Sequence, residues 1–284
     1  MNALQKPPGQ KTEESASLDS MRKGARLGQH FLNAPWAAEA LADAADITKA
    51  DTVLEIGPGR GALTTTLLKR AGRVIAIEKD EALAEHLQAT YARELESGAL
   101  TIVGGDIRDV TPTSLGLSPH SYILAANIPY YITGEIIRQF LAADAQPKTM
   151  ALLVQKEVGE RIARSKKESI LSLSVKVFGT PRLEKTVTRG NFSPPPSVDS
   201  AILSITRISR DAFQDVSEEQ FFLVVRAGFA AKRKLLSSNL KKIADAEKIV
   251  HAFNKCGLPL RVRAEDVPLE KWISLTKQLL EKTS

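Results

Sequence analysis

From about residue 52 onward, short apolar runs alternate with longer segments of helical spacing. TVLEI, RVIAI, LTIVG, YILAA and MALLVQ are apolar without the polar alternation of a one-sided sheet, and they read as strands buried on both faces. ALTTTLLKRA and EALAEHLQATYAREL, between the first of these runs, carry apolar residues at helical spacing. Strand–helix alternation of this kind predicts a doubly wound, mostly parallel sheet with helices on both faces. After Val154 the pattern predicts a helix near KEVGERIARS, then three strands, LSLSVKVFG, LEKTVTR and SAILSITRI, that finish the sheet. Around Ser209 the texture changes. From there on the pattern is helical and polar-amphipathic, with FFLVVRAGFAAKRKLLSSNLKKI and KWISLTKQLLEK as its clearest helices. The expected organisation is a disordered tail over residues 1–20, an α/β domain over 21–208 and a small all-helical domain over 209–284. No internal repeat is visible.

Composition narrows the setting. The chain has 284 residues and a formal net charge of +6, an excess that suits a polyanionic partner. Its one cysteine, Cys256, forms no internal disulfide and reads as a packing residue in a reducing, cytoplasmic setting. No run reaches the roughly 18 uninterrupted apolar residues of a membrane span. The first twenty residues lack the apolar centre of a secretory signal, and Glu13, Glu14 and Asp19 argue against a transit peptide. Met21 is a second candidate start. No metal site is expected.

The chemistry collects at strand ends. The first strand runs into EIGPGRGA, where Gly57, Gly59 and Gly61 allow a tight turn and a close backbone approach to a ligand. The next helix offers its positive N-terminal end there. Glu78 closes the second strand, about 20 residues after the glycine loop, where a carboxylate accepts both hydrogen bonds of a ribose diol. Asp106 follows the third strand in GGDIRD and is a candidate acceptor for an exocyclic amine such as that of adenine. The three positions share the carboxyl edge of the sheet, so the ligand is read as a nucleoside. These residues do not decide between NAD and S-adenosylmethionine.

The fourth strand ends in NIPYYIT. If the substrate amine is N6 of adenine, a strong base is not required, because the nitrogen needs acceptors for its two hydrogens as a methyl arrives. The Asn127 side-chain oxygen would be one acceptor. The Ile128 carbonyl, held by the bend at Pro129, would be the other. Tyr130 would stack on the base, at about 1–3 kcal/mol. This reading favours S-adenosylmethionine and methyl transfer.

An ordered set of motifs carries a resemblance. RLGQHFL, EIGPGRGALT, IEKD, GDIRD, NIPYYIT, LLVQKEVGERI, NFSPPPSVDSAIL, GFAAKRKLLSSNL and RAEDVPLEKW resemble, over roughly residues 22 to 275, the bacterial small-subunit branch of the ribosomal RNA adenine N6-dimethyltransferases, the kasugamycin-resistance branch. The resemblance implies a Rossmann-like methyltransferase sheet with a C-terminal helical domain. It also implies dimethylation of two adjacent adenines in a 3′-terminal hairpin loop of small-subunit ribosomal RNA, within an assembling particle, by a monomer. By the same resemblance His30 and Leu32 close over S-adenosylmethionine, and Gly57, Gly59, Glu78, Asp106 and Asn127 complete its site. His30 stands where the family commonly has asparagine, a change without effect if the contact is made by the backbone. Ile128 replaces the more usual leucine, and KKESILSLSV lacks the glycine and aromatic often found before that segment. Phe192, in the proline-stiffened NFSPPPSVDS, is either the second face of a base sandwich or a core residue beside a rigid turn.

Residues 226–242 contain Arg226, Lys232, Arg233, Lys234, Lys241 and Lys242 and no acid. The absence of a compensating acid favours phosphate contacts over a merely solvated face, and Arg22, Lys23 and Arg26 would add to the same field. Three rival functions stand beside this reading. A large-subunit adenine methyltransferase shares the site but not the helical-domain motifs. An NAD-dependent oxidoreductase leaves NIPYYIT unexplained. A non-catalytic RNA-binding assembly factor does not need the intact Asn127, Pro129 and Tyr130.

Overall fold

The computed structural model of the protein describes residues 29–280. The expected tail over residues 1–20 and the cations Arg22, Lys23 and Arg26 lie outside the described residues.

The described chain opens with a two-residue strand, β1 (Phe31–Leu32), and a helix, α1 (Pro35–Ala44). Strand–helix alternation follows as expected: β2 (Thr52–Ile56), α2 (Ala62–Arg70), β3 (Arg73–Glu78), α3 (Glu81–Thr90), the short α4 (Ala92–Glu96), β4 (Leu100–Gly104), β5 (Tyr122–Asn127), α5 (Thr133–Ala142) and β6 (Thr149–Gln155). Then come α6 (Lys156–Ala163), α7 (Ile170–Lys176), β7 (Thr180–Val187), the two-residue β8 (Phe192–Ser193) and β9 (Ser200–Thr206). The remainder is helical: α8 (Glu218–Gly228), α9 (Leu236–Leu240), α10 (Ala246–Cys256) and α11 (Leu269–Leu280).

The main sheet has seven strands in the order β4-β3-β2-β5-β6-β9-β7. The first five are parallel, and β9 runs antiparallel to both β6 and β7. Chain order reverses between β2 and β5, the switch point where such sheets leave a crevice at their carboxyl edge. Pairing register sets out the crevice. Ile56 is level with Ile77 and with Ala126, and Glu78 is level with Gly104. Gly57 and Asn127, each one residue further on, therefore face each other across the switch. Glu78 and the loop to Asp106 continue the same row.

Two apolar clusters cover the two sheet faces. One joins Leu54, Ile75 and Leu124 to α5 and runs without a break into Phe221, Phe253 and Trp272 of the C-terminal helices. The other joins Val53, Val74 and Ile123 to α1 and α2. No helix among the described residues is long and apolar enough to cross a membrane.

Three sequence expectations are corrected. LSLSV is helix α7, not a strand. Ser169 and Ser172 form a reciprocal capping box that starts it, and residues Ser172 to Val175 are all buried. Burial all round erases the one-sided pattern, so a short apolar run does not distinguish helix from strand. The run from Phe221 to Ile243 is two helices, because α8 stops at Gly228, where an added Cβ would lie 2.4 Å from the Trp272 ring. EALAEHLQATYAREL also divides, at Tyr91, whose hydroxyl donates to the Gly61 carbonyl at 2.9 Å.

Candidate active site

The glycine loop is built on left-handed backbone: φ is +58° at Gly59 and +84° at Gly61. Close packing excludes side chains at both positions. A Cβ on Gly59 would lie 3.0 Å from the Phe31 ring, and one on Gly61 would lie 2.5 Å from the Tyr91 hydroxyl. Gly57, also at positive φ, would meet nothing within 4 Å, so open space lies beside it at the switch point.

Glu78 is 3% exposed. One oxygen accepts from the Gly59 N–H at 3.0 Å and the other from the Asp80 N–H at 2.9 Å. Burial raises its pKa, and these backbone hydrogen bonds oppose the rise. The carboxylate thus holds the glycine loop in shape, and each oxygen keeps a lone pair for a ligand hydroxyl.

Asp106 is more heavily engaged than the sequence suggested. Its Oδ1 accepts from the Arg108 N–H and Nε at 3.0 Å each, and its Oδ2 accepts from Arg108 Nη2 at 2.5 Å and Lys79 Nζ at 2.8 Å. These two cations hold its carboxyl well below the usual carboxylate range. Glu78, Asp106, Lys79 and Arg108 line a cavity of about 510 Å³ together with Gly57, Pro129 and Tyr131. That volume lies in the range of small-molecule sites.

A smaller cavity of about 60 Å³ adjoins it, sharing Gly57, Glu78 and Pro129 and adding His30, Leu32, Glu55, Asn127 and Tyr130. Asn127 Nδ2 donates to the His30 carbonyl at 2.9 Å. A carbonyl only accepts, so this contact fixes which end of the amide is nitrogen. It leaves Oδ1, which accepts nothing among the described residues. The main-chain atom of His30 makes this contact, so any residue there could make it. The His30 ring adds a hydrogen bond from Nδ1 to the Pro194 carbonyl at 2.8 Å, which places a proton on Nδ1. Beside it, the Asn33 N–H donates to the Asn191 carbonyl, and β1 pairs with β8, Phe31 opposite Ser193 and Leu32 opposite Phe192. The segment from His30 to Asn33 is thus a strap fastened to the proline-rich loop.

Tyr130 is half-buried. Its hydroxyl lies 2.7 Å from Ser200 Oγ and its ring centroid 5.8 Å from that of His30. Ile128 and Phe192 are buried, and Phe192 packs in the same cluster as Leu32, which is the packing of a core ring.

Sequence reasoning missed two features. The pairing of Lys79 and Arg108 with Asp106 depends on side-chain geometry that no spacing carries. Glu55 had a signal, an acid inside the apolar run TVLEI. It is 1% exposed, accepts from the Thr64 hydroxyl at 2.7 Å on Oε2, and has no partner on Oε1. Burial pushes its pKa up to about 8.

The basic run lies on the other part of the chain. Arg226 is on α8, Lys232, Arg233 and Lys234 on the turn after it, and Lys241 and Lys242 just past α9; all six are exposed. None has an ion pair among the described residues. The turn itself is clamped by buried Asn239, whose Nδ2 donates to the carbonyls of Gly228 at 2.6 Å and Ala231 at 3.1 Å.

The family model described as ribosomal RNA adenine dimethylase matches residues 21–281. The chain belongs to this family. Among its adenine dimethylase relatives, a protein named ribosomal RNA small subunit methyltransferase A from Dehalococcoides mccartyi (strain ATCC BAA-2266 / KCTC 15142 / 195) is 40% identical over 254 residues, 88% of this chain and 86% of the relative. One of the same name from Acidobacterium capsulatum is 34% identical over 283 residues, 98% of this chain and 97% of the relative. A dimethyladenosine transferase from Plasmodium falciparum has a similar structure, with TM-score 0.70, 26% identity, and coverage of 87% of this chain and 96% of that one. The 23S rRNA methyltransferase ErmE shares the fold at TM-score 0.68 and 24% identity, covering 88% of this chain and 99% of that one.

Proposed function

We propose that this dimethylase family member transfers methyl groups from S-adenosylmethionine to N6 of two adjacent adenines in a 3′-terminal hairpin loop of small-subunit ribosomal RNA. Family membership and the names of the relatives support the reaction class and the small-subunit substrate. The observation that carries the assignment of chemistry is the Asn127 amide. Its nitrogen is spent on the His30 carbonyl, its oxygen accepts nothing among the described residues, and the residue stands at the switch point across from Gly57.

The residues fit the cofactor. The 510 Å³ cavity, the open face of Gly57 and the remaining lone pairs of Glu78 suit a nucleoside with a short charged arm. S-adenosylmethionine supplies an electrophilic methyl group on a positive sulfur. In this reading Glu78 accepts the ribose hydroxyls, and Asp106 accepts the adenine amine once Arg108 or Lys79 yields an oxygen. His30 and Leu32 close the strap over the site. Asn127 Oδ1 and the Ile128 carbonyl hold the two hydrogens of the target N6, favouring a tetrahedral nitrogen. Tyr130 receives one face of the base, and Phe192 the other if its ring turns out of the core. A methylated N6 still carrying both hydrogens is a strong acid, so it gives up a proton to solvent without a dedicated base. A loop adenine reaches such a site more cheaply than a paired one.

The basic residues from Arg226 to Lys242 are assigned to RNA phosphates, with the helical region 209–284 selecting the substrate. An assembling particle as target, a monomeric enzyme and a cytoplasmic setting complete the proposal. The test is to incubate the protein and labelled S-adenosylmethionine with undermethylated small subunits and, separately, with large subunits. Label in N6,N6-dimethyladenosine at adjacent positions of small-subunit RNA is the expected result. Label in the large subunit alone, or in neither, would overturn the assignment.

A further inference from the structure

The NIPYYIT segment leaves the sheet at Asn127 and turns through a short 3₁₀ stretch, Tyr130–Ile132, before α5 begins. Such a turn fixes the Tyr130 backbone, but the ring extends from it and could swing about its side-chain torsions. Two contacts oppose that swing. One is the His30 ring, tilted at 33° to it. The other is directional, the 2.7 Å hydrogen bond between the Tyr130 hydroxyl and Ser200 Oγ. Each hydroxyl is the other's only side-chain partner among the described residues.

Ser200 is well suited to be a fixed point. It is 1% exposed, and it opens β9, paired with Gln155 on one side and Val187 on the other. The residue before it is tied twice more. The Asp199 carbonyl accepts from the Lys156 N–H at 2.9 Å, and its carboxylate accepts from the Arg189 N–H at 3.0 Å. A ring hung from a turn is thus referenced at its far end to an interior strand. A hydrogen bond at the tip of a ring governs orientation more than an equal contact near Cβ would, because the tip moves farthest for a given rotation.

We propose that Ser200 is a positioning residue for methyl transfer: its hydroxyl holds the Tyr130 ring in the orientation that receives the target base. This rests on the reading of Tyr130 as the ring that stacks on the base.

A double-mutant cycle tests it, with kcat and the KM for S-adenosylmethionine measured on undermethylated small subunits. Ser200→Ala and Tyr130→Phe should each lower kcat about tenfold, the kinetic equivalent of one neutral hydrogen bond, while the cofactor KM stays within about twofold. The double variant should be no slower than the slower single one, because both changes remove the same bond. A loss in the double variant equal to the product of the single losses would overturn the proposal, as would wild-type kcat in Ser200→Ala. If Ser200→Ala fails to fold, Tyr130→Phe, which leaves Ser200 in place, decides: wild-type kcat there also overturns it. Tyr130→Ala separates the two levels. Full activity in that variant would remove the stacking reading itself, whereas lost activity in Tyr130→Ala with normal Ser200→Ala would sink the positioning role alone.

Discussion

Asn127 shows how a backbone atom can set a side chain's chemistry. Because the His30 carbonyl takes the amide nitrogen, the oxygen is the end of the amide left without a partner among the described residues. Asn127→Ala should therefore cut kcat by about 100-fold or more, on the scale of losing one aligned polar group, with the circular dichroism spectrum unchanged. Near-normal turnover would remove the residue from the mechanism. Glu55 makes a second prediction at this scale. Its ordinary pKa is 4.5 and burial raises it to about 8, so between those values the unfolded chain loses a proton that the folded chain keeps. Stability then falls as pH rises through that window. The thermal midpoint should drop between pH 5 and pH 8, and Glu55→Gln should flatten that drop; equal slopes for the two proteins would contradict it. The strand-end positions of Gly57, Glu78 and Asn127 were legible in the sequence because parallel pairing brings strand ends into one row. The engagement of Asp106 by Arg108 and Lys79 was not, since it depends on side-chain rotamers, within one loop for Arg108 and across two loops for Lys79.

At the scale of elements, the turn between α8 and α9 concentrates three exposed cations, none of them in an ion pair among the described residues. If Lys232, Arg233 and Lys234 touch phosphates, replacing all three with alanine should flatten the log–log salt dependence of ribosomal-particle binding by nearly one unit per lost contact. Cofactor affinity should not change. Parallel salt plots for the two proteins would place the RNA surface elsewhere. Gly228 ends α8 against the Trp272 ring, so Gly228→Ala should lower the unfolding free energy by roughly 1–3 kcal/mol as the ring is pushed aside, measured by denaturant titration. This stop was hidden in the sequence. Residues Phe221 to Ile243 read as one amphipathic helix, and the ring that packs on Gly228 at the end of α8 comes from α11, more than forty residues later. The strand expected at LSLSV failed for a related reason: Ser172 to Val175, a full turn of α7, are all buried, so its composition resembles a strand's.

For the whole molecule, the parallel order of β4, β3, β2, β5 and β6 followed from the alternation of apolar runs and amphipathic segments, and the helical end followed from the loss of strand patterning. The balance between nucleotide ligands is a property of the assembled crevice and was not readable from any one motif, since the glycine loop and Glu78 suit NAD as well. Calorimetry should give saturable binding of S-adenosylmethionine or its demethylated product and none of NAD at the same concentration; tight NAD binding alone would reverse the assignment. The strap adds a matter of timing. His30 and Leu32 are synthesised early, yet the residues that fasten them, Asn191, Phe192 and Pro194, come more than 150 positions later, followed by the Ser200 that meets Tyr130. A growing chain therefore carries the glycine loop, Glu78 and Asn127 well before it can hold them closed. The crevice matures late in translation, and a chain cut short before Asn191 would keep the floor of the crevice without its roof.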